Sequence, residues 1–308
     1  MATTPLTFTK AQATGNDFVM IADATGSQKL DAALVEKLCD RHMGVGADGL
    51  IRAVPAHQDT EAGRMLAETG LTSSAEAPLW FMDYRNADGS IAEMCGNGVR
   101  AFAHFLINQE AVDPDAESIP VLTRAGIKTV RQVSEGYAVG MGVWSFIDPE
   151  MAADSASDSL VQTPGQNDPR PALSISMGNP HTVVALPNEQ ALENLDLHTP
   201  PKVEPNPPQG TNVEFVVPAD PLIENGEGRV RMRVHERGVG ETMSCGTGAC
   251  AAAAAVRVWA AGDGVDTWRV AVPGGEVTIR FTSREDGAED VELAGPAELV
   301  YTGELLTE

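Results

Sequence analysis

CGNGVRAFAHFLIN (95–108) and CGTGACAAAAAVRVW (245–259) are two stretches of this chain built on the same plan, 150 residues apart. Each starts with a cysteine, passes through flanking glycines and enters an apolar segment with helical character. A cysteine at a helix start meets free backbone N–H groups and the positive end of the helix dipole, which stabilise a thiolate and can hold a carboxylate. Two such copies predict two acid/base thiols facing each other across one small anionic substrate.

The rest of the chain predicts two domains of similar design. A length of 308 residues with 43% hydrophobic content exceeds the common domain size of about 100–200 residues. Strand–turn–strand patterns at 6–22 and 172–186 precede the cysteine segments, and helices that are apolar over most of their surface must be enclosed. The acidic segment 148–172 predicts the boundary, so we expect domains 1–147 and 148–295. The closing strand, about 296–308, is expected to pair back with the first domain.

Charge and cysteine content restrict the partners and the compartment. The chain has 21 Lys+Arg against 44 Asp+Glu, a net charge of −23, which repels phosphate backbones and anionic lipid. We therefore expect neither nucleic acid nor a membrane as a partner. No apolar window reaches transmembrane length, and four cysteines do not form a disulfide framework, so the expected compartment is the reducing cytoplasm.

Several segments and residues are expected to have only a structural role. Residues 56–77 have weak periodicity and are expected to form a solvated excursion between strands. Cys39 and Cys250 lie on apolar helix faces, where a free cysteine behaves as a small hydrophobic residue. The histidines other than His181 are expected to be structural or exposed. Two cysteines and a histidine so differently embedded do not have zinc-ligand spacing, so no metal site is predicted.

Several motifs together resemble the diaminopimelate epimerase family. They are NADGSIAEMCGNGVR (86–100), HERGVGETMSCGTGACA (235–251), TGNDF (14–18), RHMGVGADG (41–49), GNPH (178–181) and GTNVEF (210–215). The resemblance runs through the whole chain. It implies an α/β (α+β) fold of two pseudo-symmetric domains, each a β-sheet or barrel wrapped around a central helix, with the active site in the cleft between them.

The same resemblance implies a function. It indicates a cofactor-independent isomerase that interconverts LL- and meso-2,6-diaminopimelate, in the pathway to lysine and to peptidoglycan precursors. Without pyridoxal phosphate, the carbanion must be stabilised by fixed dipoles, for which the N–H groups of Gly96, Asn97, Gly246 and Thr247 are suited. Homodimers are known in the family, so a homodimer is expected.

Site residues follow from the matching motif positions. Cys95 and Cys245 would be the proton donor and acceptor, and His181 and Glu236 would assist them. The far end of the substrate would be recognised by Asn16, Asn86, Asn179, Asn212, Glu236 and Arg237. Some family members place a glutamine contact where this chain has Gly49, so that contact is not assigned.

Two other functional classes are weighed against this one. Proline and hydroxyproline racemases have the same architecture, but they typically carry histidine at the position of Asn97 and an aspartate before the second cysteine motif. A cysteine-dependent hydrolase would need one nucleophile with a dedicated base, and a dithiol redox protein usually carries Cys-x-x-Cys. This chain has neither that histidine nor that aspartate, and it has no Cys-x-x-Cys.

Overall fold

The computed structural model describes residues 6–163, 168–260 and 264–305 of the chain. The chain divides into two units: residues 1–139 with 296–308, called unit 1, and residues 140–295, called unit 2. The boundary predicted from composition lies a few residues further along the chain, between 147 and 148. Each unit is described by itself below.

In its described residues, unit 1 contains eight β-strands, three α-helices and the 3₁₀-helix Ala56–Gln58. Its strands are β1 (Leu6–Ala13), β2 (Asn16–Ala22), β3 (Gly49–Pro55), β4 (Trp80–Asn86), β5 (Ile119–Thr123), β6 (Gly126–Val133), β7 (Gly136–Val143, which runs into unit 2) and β19 (Glu298–Leu305). Its helices are α1 (Ala32–Cys39), α2 (Thr60–Thr69) and α3 (Gly96–Asn108). The closing strand β19 pairs antiparallel with β1.

The described residues of unit 2 also form three α-helices, with more β-strands than unit 1. Its strands are β8 (Ser145–Phe146), β9 (Ser159–Gln162), β10 (Arg170–Ser176), β11 (Pro180–Ala185), β12 (Lys202–Glu204), β13 (Asn212–Glu224), β14 (Glu227–Glu236), β15 (Gly240–Thr242), β16 (Thr267–Val272), β17 (Gly275–Ser283) and β18 (Glu289–Gly295). Its helices are α4 (Pro149–Ser155), α5 (Glu189–Glu193) and α6 (Gly246–Trp259).

Strand pairing shows that the two units are duplicates. In unit 1 the order β1-β2-β3-β4-β5-β6-β7 alternates antiparallel and parallel pairs, ending in two antiparallel pairs. The order β10-β11-β13-β14-β16-β17-β18 repeats the same sequence of pair types in unit 2. The cysteine-capped helix enters at the same point in both, after the fourth of these strands.

Each of these two helices is enclosed by its own sheet. Helix α3 contacts β1, β2, β3, β5, β6 and β19, and α6 contacts β10, β11, β13, β14, β16, β17 and β18. In α6 the run Ala251–Ala255 is at most 1% exposed, because only small side chains let a curled sheet approach a helix on several faces. The predicted fold class, two pseudo-symmetric α/β units with a sheet around a central helix, is confirmed.

The structure corrects the prediction for residues 56–77 and adds detail to the one for residues 148–172. Residues 56–77, predicted as a solvated excursion, contain α2, which is capped by Asp59 at its start and by Gly70 in the left-handed conformation at its end. Ala62 and Leu66 bury one narrow face of this helix. The acidic segment 148–172 contains α4 and β9 and the start of β10, while residues 164–167 lie outside the described residues.

Candidate active site

Cys95 is the N-cap of α3, as the sequence predicts. Its backbone is extended, with φ −141° and ψ 121°, and its Sγ accepts the N–H of Gly98 at 3.4 Å. The thiol also donates to Oδ1 of Asn16 at 3.4 Å. The side chain of Asn97 donates to the same oxygen at 3.4 Å, so Asn16 and the first turn of α3 converge on this sulfur.

A charged network holds Asn16 at the start of β2. Its amide Nδ2 donates to Asp48 at 2.7 Å. Neighbouring Asp17 pairs with Lys10 at 2.6 Å and with Arg41 at 2.8 Å. Burial raises the pKa of Asp17, but the hydrogen bonds from Arg41 and Lys10 outweigh it and lower that pKa to about 2. Asp17 is therefore ionised at neutral pH and anchors the turn that presents Asn16.

Arg100 is a buried cation behind Cys95 that sequence reasoning did not single out. It is completely buried, and its guanidinium donates to the side chain of Asn97 at 3.0 Å and to Thr14 at 3.3 Å. It thereby links α3 to the Thr14-Gly15 turn, where both residues have positive φ. A charged residue inside an otherwise apolar helix is the signal that could have revealed it.

Cys245 repeats the N-cap in unit 2, on α6. Its φ is −115° and its ψ 114°, its Sγ accepts the N–H of Gly248 at 3.4 Å, and the hydroxyl of Thr247 lies 3.6 Å away. Burial, followed by the nearby carboxylates of Glu236 and Glu214, raises the pKa of the Cys245 thiol well above its ordinary value. The hydrogen bonds from Thr247 and Gly248 oppose this shift and are outweighed, so Cys245 is a thiol at neutral pH.

His181 lies between two oxygen atoms in unit 2. Its Nδ1 is 2.7 Å from Oε1 of Glu214, and both side chains are completely buried. Its Nε2 is 3.1 Å from Oδ1 of Asn179. Glu214 was missed by the sequence reasoning, although a glutamate inside the apolar run Asn212–Val217 is a signal that a buried partner exists.

Three further predicted residues lie around the end of β14. The backbone N–H of Arg237 donates to Oδ1 of Asn212 at 2.9 Å, and the exposed Arg237 guanidinium donates to the Gln209 carbonyl at 2.6 Å. Glu236 accepts a hydrogen bond from the Thr242 hydroxyl on β15. The negative charge of Glu236 contributes to the raised pKa of Cys245, so Glu236 belongs to the surroundings of the second thiol.

The remaining predicted positions are backbone or turn positions. Gly96 and Asn97 open α3, and Gly246 and Thr247 open α6, where the first N–H groups have no partner within the helix. Asn86 is exposed and donates to Ser90 within its turn at 3.0 Å.

Gly49 cannot be replaced by a longer residue in this backbone. An added Cβ would lie 2.6 Å from the Arg85 carbonyl oxygen and 2.6 Å from the Tyr84 ring. This crowding supports leaving the glutamine contact of other family members unassigned here.

Two absences hold for the described parts of the chain. Within residues 6–163, 168–260 and 264–305, no three His, Cys, Asp or Glu side chains are grouped so that they could hold a metal ion. Over the same residues, no helix has the length and apolar character needed to cross a membrane.

Solved structures with the same fold define the class. The PhzF-family phenazine biosynthesis protein from Bacillus anthracis matches with a TM-score of 0.68 and 15% identity over 99% of this chain and 100% of that chain. A hydroxyproline epimerase from Agrobacterium vitis, with trans-4-hydroxy-L-proline bound, matches with a TM-score of 0.60 and 11% identity over 98% and 92%. The chain thus has the two-unit epimerase fold, and at such identities the likeness extends to the fold alone.

Sequence similarity identifies the family within this class. The diaminopimelate epimerase family model matches residues 8–147 and 173–300. The diaminopimelate epimerase of Streptomyces coelicolor is 44% identical over 98% of this chain and 96% of that protein. The chain belongs to the diaminopimelate epimerase family.

Proposed function

We propose that this chain interconverts LL-2,6-diaminopimelate and meso-2,6-diaminopimelate, with Cys95 and Cys245 as its two acid/base groups. One observation carries the proposal: a cysteine caps the enclosed helix at the same topological position in two duplicated units of a diaminopimelate epimerase family member. The racemases of cyclic imino acids share only the fold with this chain, so they are not favoured.

Two thiols fit the chemistry of inversion. Inverting a carbon requires removal of a proton from one face and delivery of a proton to the other, so two groups on opposite faces are needed. In this proposal each face of the reacting carbon meets one of the two cysteine thiols. One cysteine is a thiolate and the other a thiol at the start of each turnover, and they exchange these states on each conversion.

The charge that develops on the substrate needs fixed donors. As the α-proton leaves, negative charge moves onto the adjacent carboxylate, and the proposed reaction uses no pyridoxal phosphate to take it up. The N–H groups of Gly96, Asn97, Gly246 and Thr247 at the two helix starts are suited to hold these oxygens, and the helix dipoles add to their effect.

The surroundings of Cys245 indicate the roles of the thiols at rest. Burial and the Glu236 and Glu214 carboxylates favour its protonated form. We therefore assign Cys245 as the initial proton donor and Cys95 as the initial base, which first gives up to solvent the thiol proton that it donates to Asn16. His181 and Glu236 assist the two thiols, His181 by charge and proton relay and Glu236 by its position beside Cys245.

The distal amino-acid head of the substrate needs its own recognition. Arg237 is exposed at the end of β14 and can form a bidentate contact with a carboxylate. Side chains at the turns near both cysteines supply further polar contacts. The proposed set is Asn16, Asn86, Asn179, Asn212, Glu236 and Arg237.

The setting of the enzyme follows from its family and its cysteines. We propose a cytoplasmic homodimer that acts in lysine and peptidoglycan precursor biosynthesis. The dimer rests on the family resemblance, and the cytoplasm on four cysteines that form no disulfide with one another. Light scattering of the purified chain tests the dimer, and a monomer at working concentration would refute it.

Conversion of the LL isomer by the purified protein tests the function. Meso product should form without added cofactor, and Cys95→Ala or Cys245→Ala should each lower kcat by at least about 10³-fold while the fold persists. Cys39→Ala is the matched control, because Cys39 is buried in the apolar core of α1 and β3. Near wild-type conversion by either site variant would refute the assignment.

A further inference from the structure

The first turns of α3 and α6 pack against different kinds of side chain, although the two units have the same strand order. A Cβ added at Gly98 would meet Met82 at 2.9 Å and Ile51 at 3.2 Å. At the equivalent Gly248, it would meet Oε1 of Glu214 at 2.6 Å. An apolar contact in unit 1 is therefore replaced by a carboxylate in unit 2.

Strand register shows that this is a replacement at matching positions. In the parallel pair β2–β3, Phe18 lies opposite Gly49, and Ile51 follows two residues later. In the parallel pair β11–β13, His181 lies opposite Asn212, and Glu214 follows two residues later. His181 thus occupies the place of Phe18, and Glu214 the place of Ile51.

The fold does not need an ionisable pair at these positions. Phe18 and Ile51 are completely buried and complete the core of unit 1 around α3. A buried ion pair contributes little net stability compared with apolar residues of similar size. Because Phe18 and Ile51 fill the same positions in unit 1, folding does not require His181 and Glu214 in unit 2. Their imidazole and carboxylate are better explained by a role in the reaction.

The hydrogen bonds determine how many protons the pair holds. The oxygen of Asn179 that faces Nε2 can only accept, so Nε2 carries a proton. A second proton lies between Nδ1 and the Glu214 oxygen, because two bare acceptors would repel each other at 2.7 Å. The pair therefore holds two protons, one on Nε2 and one between Nδ1 and Oε1.

We propose that Glu214 is a positioning residue that holds His181 as an imidazolium with its Nε2–H directed at Asn179. The inference rests on the proposed function, in which His181 assists the thiols. Oε2 of Glu214 is buried and has no hydrogen-bond partner among the described residues, so the contact between Oε1 and Nδ1 of His181 is the one that holds this side chain. Two further titratable groups share this neighbourhood, Cys245 at the start of α6 and Glu236 at the end of β14.

The imidazolium has a role that a neutral ring cannot fill. It supplies a positive charge near the Asn179 turn and a proton on Nε2 that can be released to a thiolate. When that proton leaves Nε2, the ring stays neutral with its remaining proton on Nδ1, held by Glu214. Glutamine at position 214 keeps the volume but removes the charge, so the ring would carry one proton only.

NMR of the histidine ring nitrogens tests the proposal without substrate. In protein labelled with ¹⁵N-histidine, His181→Gln identifies the His181 signals among the six histidines. At pH 8, wild type should show both ring nitrogens of His181 protonated, and Glu214→Gln should show a neutral ring. Glu224→Gln is the control, because Glu224 is an exposed residue of the same strand paired with Arg229. It should leave the His181 signals unchanged.

Kinetics and a second variant complete the test. Glu214→Gln should lower kcat by about 10²-fold with a much smaller change in KM. If it does not fold, the double variant His181→Phe/Glu214→Ile copies the apolar pair of unit 1 and should fold but lose activity. A neutral His181 ring in wild type, or unchanged signals and kcat in Glu214→Gln, overturns the proposal. Because the spectrum needs no substrate, a doubly protonated ring in a protein that does not epimerise would refute only the proposed function.

Discussion

At the scale of single residues, the two cysteines are alike in backbone position and different in electrostatic surroundings. Both cap a helix and accept the N–H of the glycine three residues on. Cys95 is half-buried beside Asn16, whereas Cys245 is 7% exposed near two carboxylates that raise its pKa. The duplicated sequence motif predicts the shared position but contains no information about these surroundings.

This difference predicts selective alkylation. Iodoacetamide near neutral pH should modify Cys95 at least about 10-fold faster than Cys245, because only the thiolate reacts and Cys245 is both buried and protonated. Peptide mass spectrometry over a time course measures the two rates. Cys39 serves as the slow reference, since burial raises its pKa to about 11. Faster labelling of Cys245 than of Cys95 would contradict the assigned resting states.

The glycines of the two first turns predict unequal tolerance. Gly248→Ala should lower stability by about 1–3 kcal/mol and impair activity, because its Cβ would press on Glu214 and on the Cys245 sulfur, 3.2 Å away. Gly98→Ala meets the flexible end of Met82 and gains helix propensity, so its cost should be smaller. Urea unfolding of both variants gives the comparison, and an equal or larger loss for Gly98→Ala would count against it.

Arg237 predicts a substrate-dependent effect. Arg237→Ala should weaken kcat/KM for diaminopimelate far more than for a truncated analogue that lacks the distal carboxylate, because the lost contact is with that group. Steady-state kinetics with both substrates decide the point. Equal losses for the two would remove Arg237 from the recognition of the distal head.

At the scale of elements, the sequence predicts helix starts and turns from neighbouring residues. It does not predict pairings between residues that are far apart in the chain. Both cysteine caps follow from residues within one turn of each other. Helix α2 was missed because only Ala62 and Leu66 bury its narrow face, although Asp59 and Gly70 mark its ends. The His181–Glu214 pair joins two strands 33 residues apart, which no local pattern specifies.

The ion pairs of Asp17 predict an acid-sensitive link between β1, β2 and the 41–49 loop. The lowered pKa of Asp17, about 2 against 3.8, contributes about 2 kcal/mol of stability above pH 4. This contribution should fade as the pH falls from about 4 towards about 2, where the native carboxylate takes up its proton. Asp17→Asn should therefore be less stable than wild type at pH 7, and the gap should narrow below pH 4.

Urea unfolding at several pH values measures that gap. Asp286→Asn is the control, because Asp286 is 62% exposed in its pairing with Arg284 and should change stability little. A gap between Asp17→Asn and wild type that stays constant from pH 7 to pH 3 would show that the carboxylate is not responsible.

At the scale of the whole molecule, duplication explains both the fold and the chemistry. Two units with the same strand order each enclose one helix and place one cysteine at its start. Sequence predicted this plan because Cys-Gly-x-Gly followed by an apolar helical segment occurs in both halves of the chain. The raised pKa of Cys245 arises from burial and from Glu236 and Glu214, whose counterparts in unit 1 are Asn86 and Ile51 by register.

The isotopic fate of the substrate tests the two-thiol claim most directly. LL-diaminopimelate is converted in deuterated water, the reaction is stopped at a few per cent of conversion, and both isomers are analysed by mass spectrometry. With one thiol on each face, the donor thiol exchanges with solvent, so the meso product should carry deuterium at the inverted carbon while the recovered LL isomer stays unlabelled. Deuterium in the recovered LL isomer at the same rate as in the product would mean that a single group serves both faces, and would contradict the account.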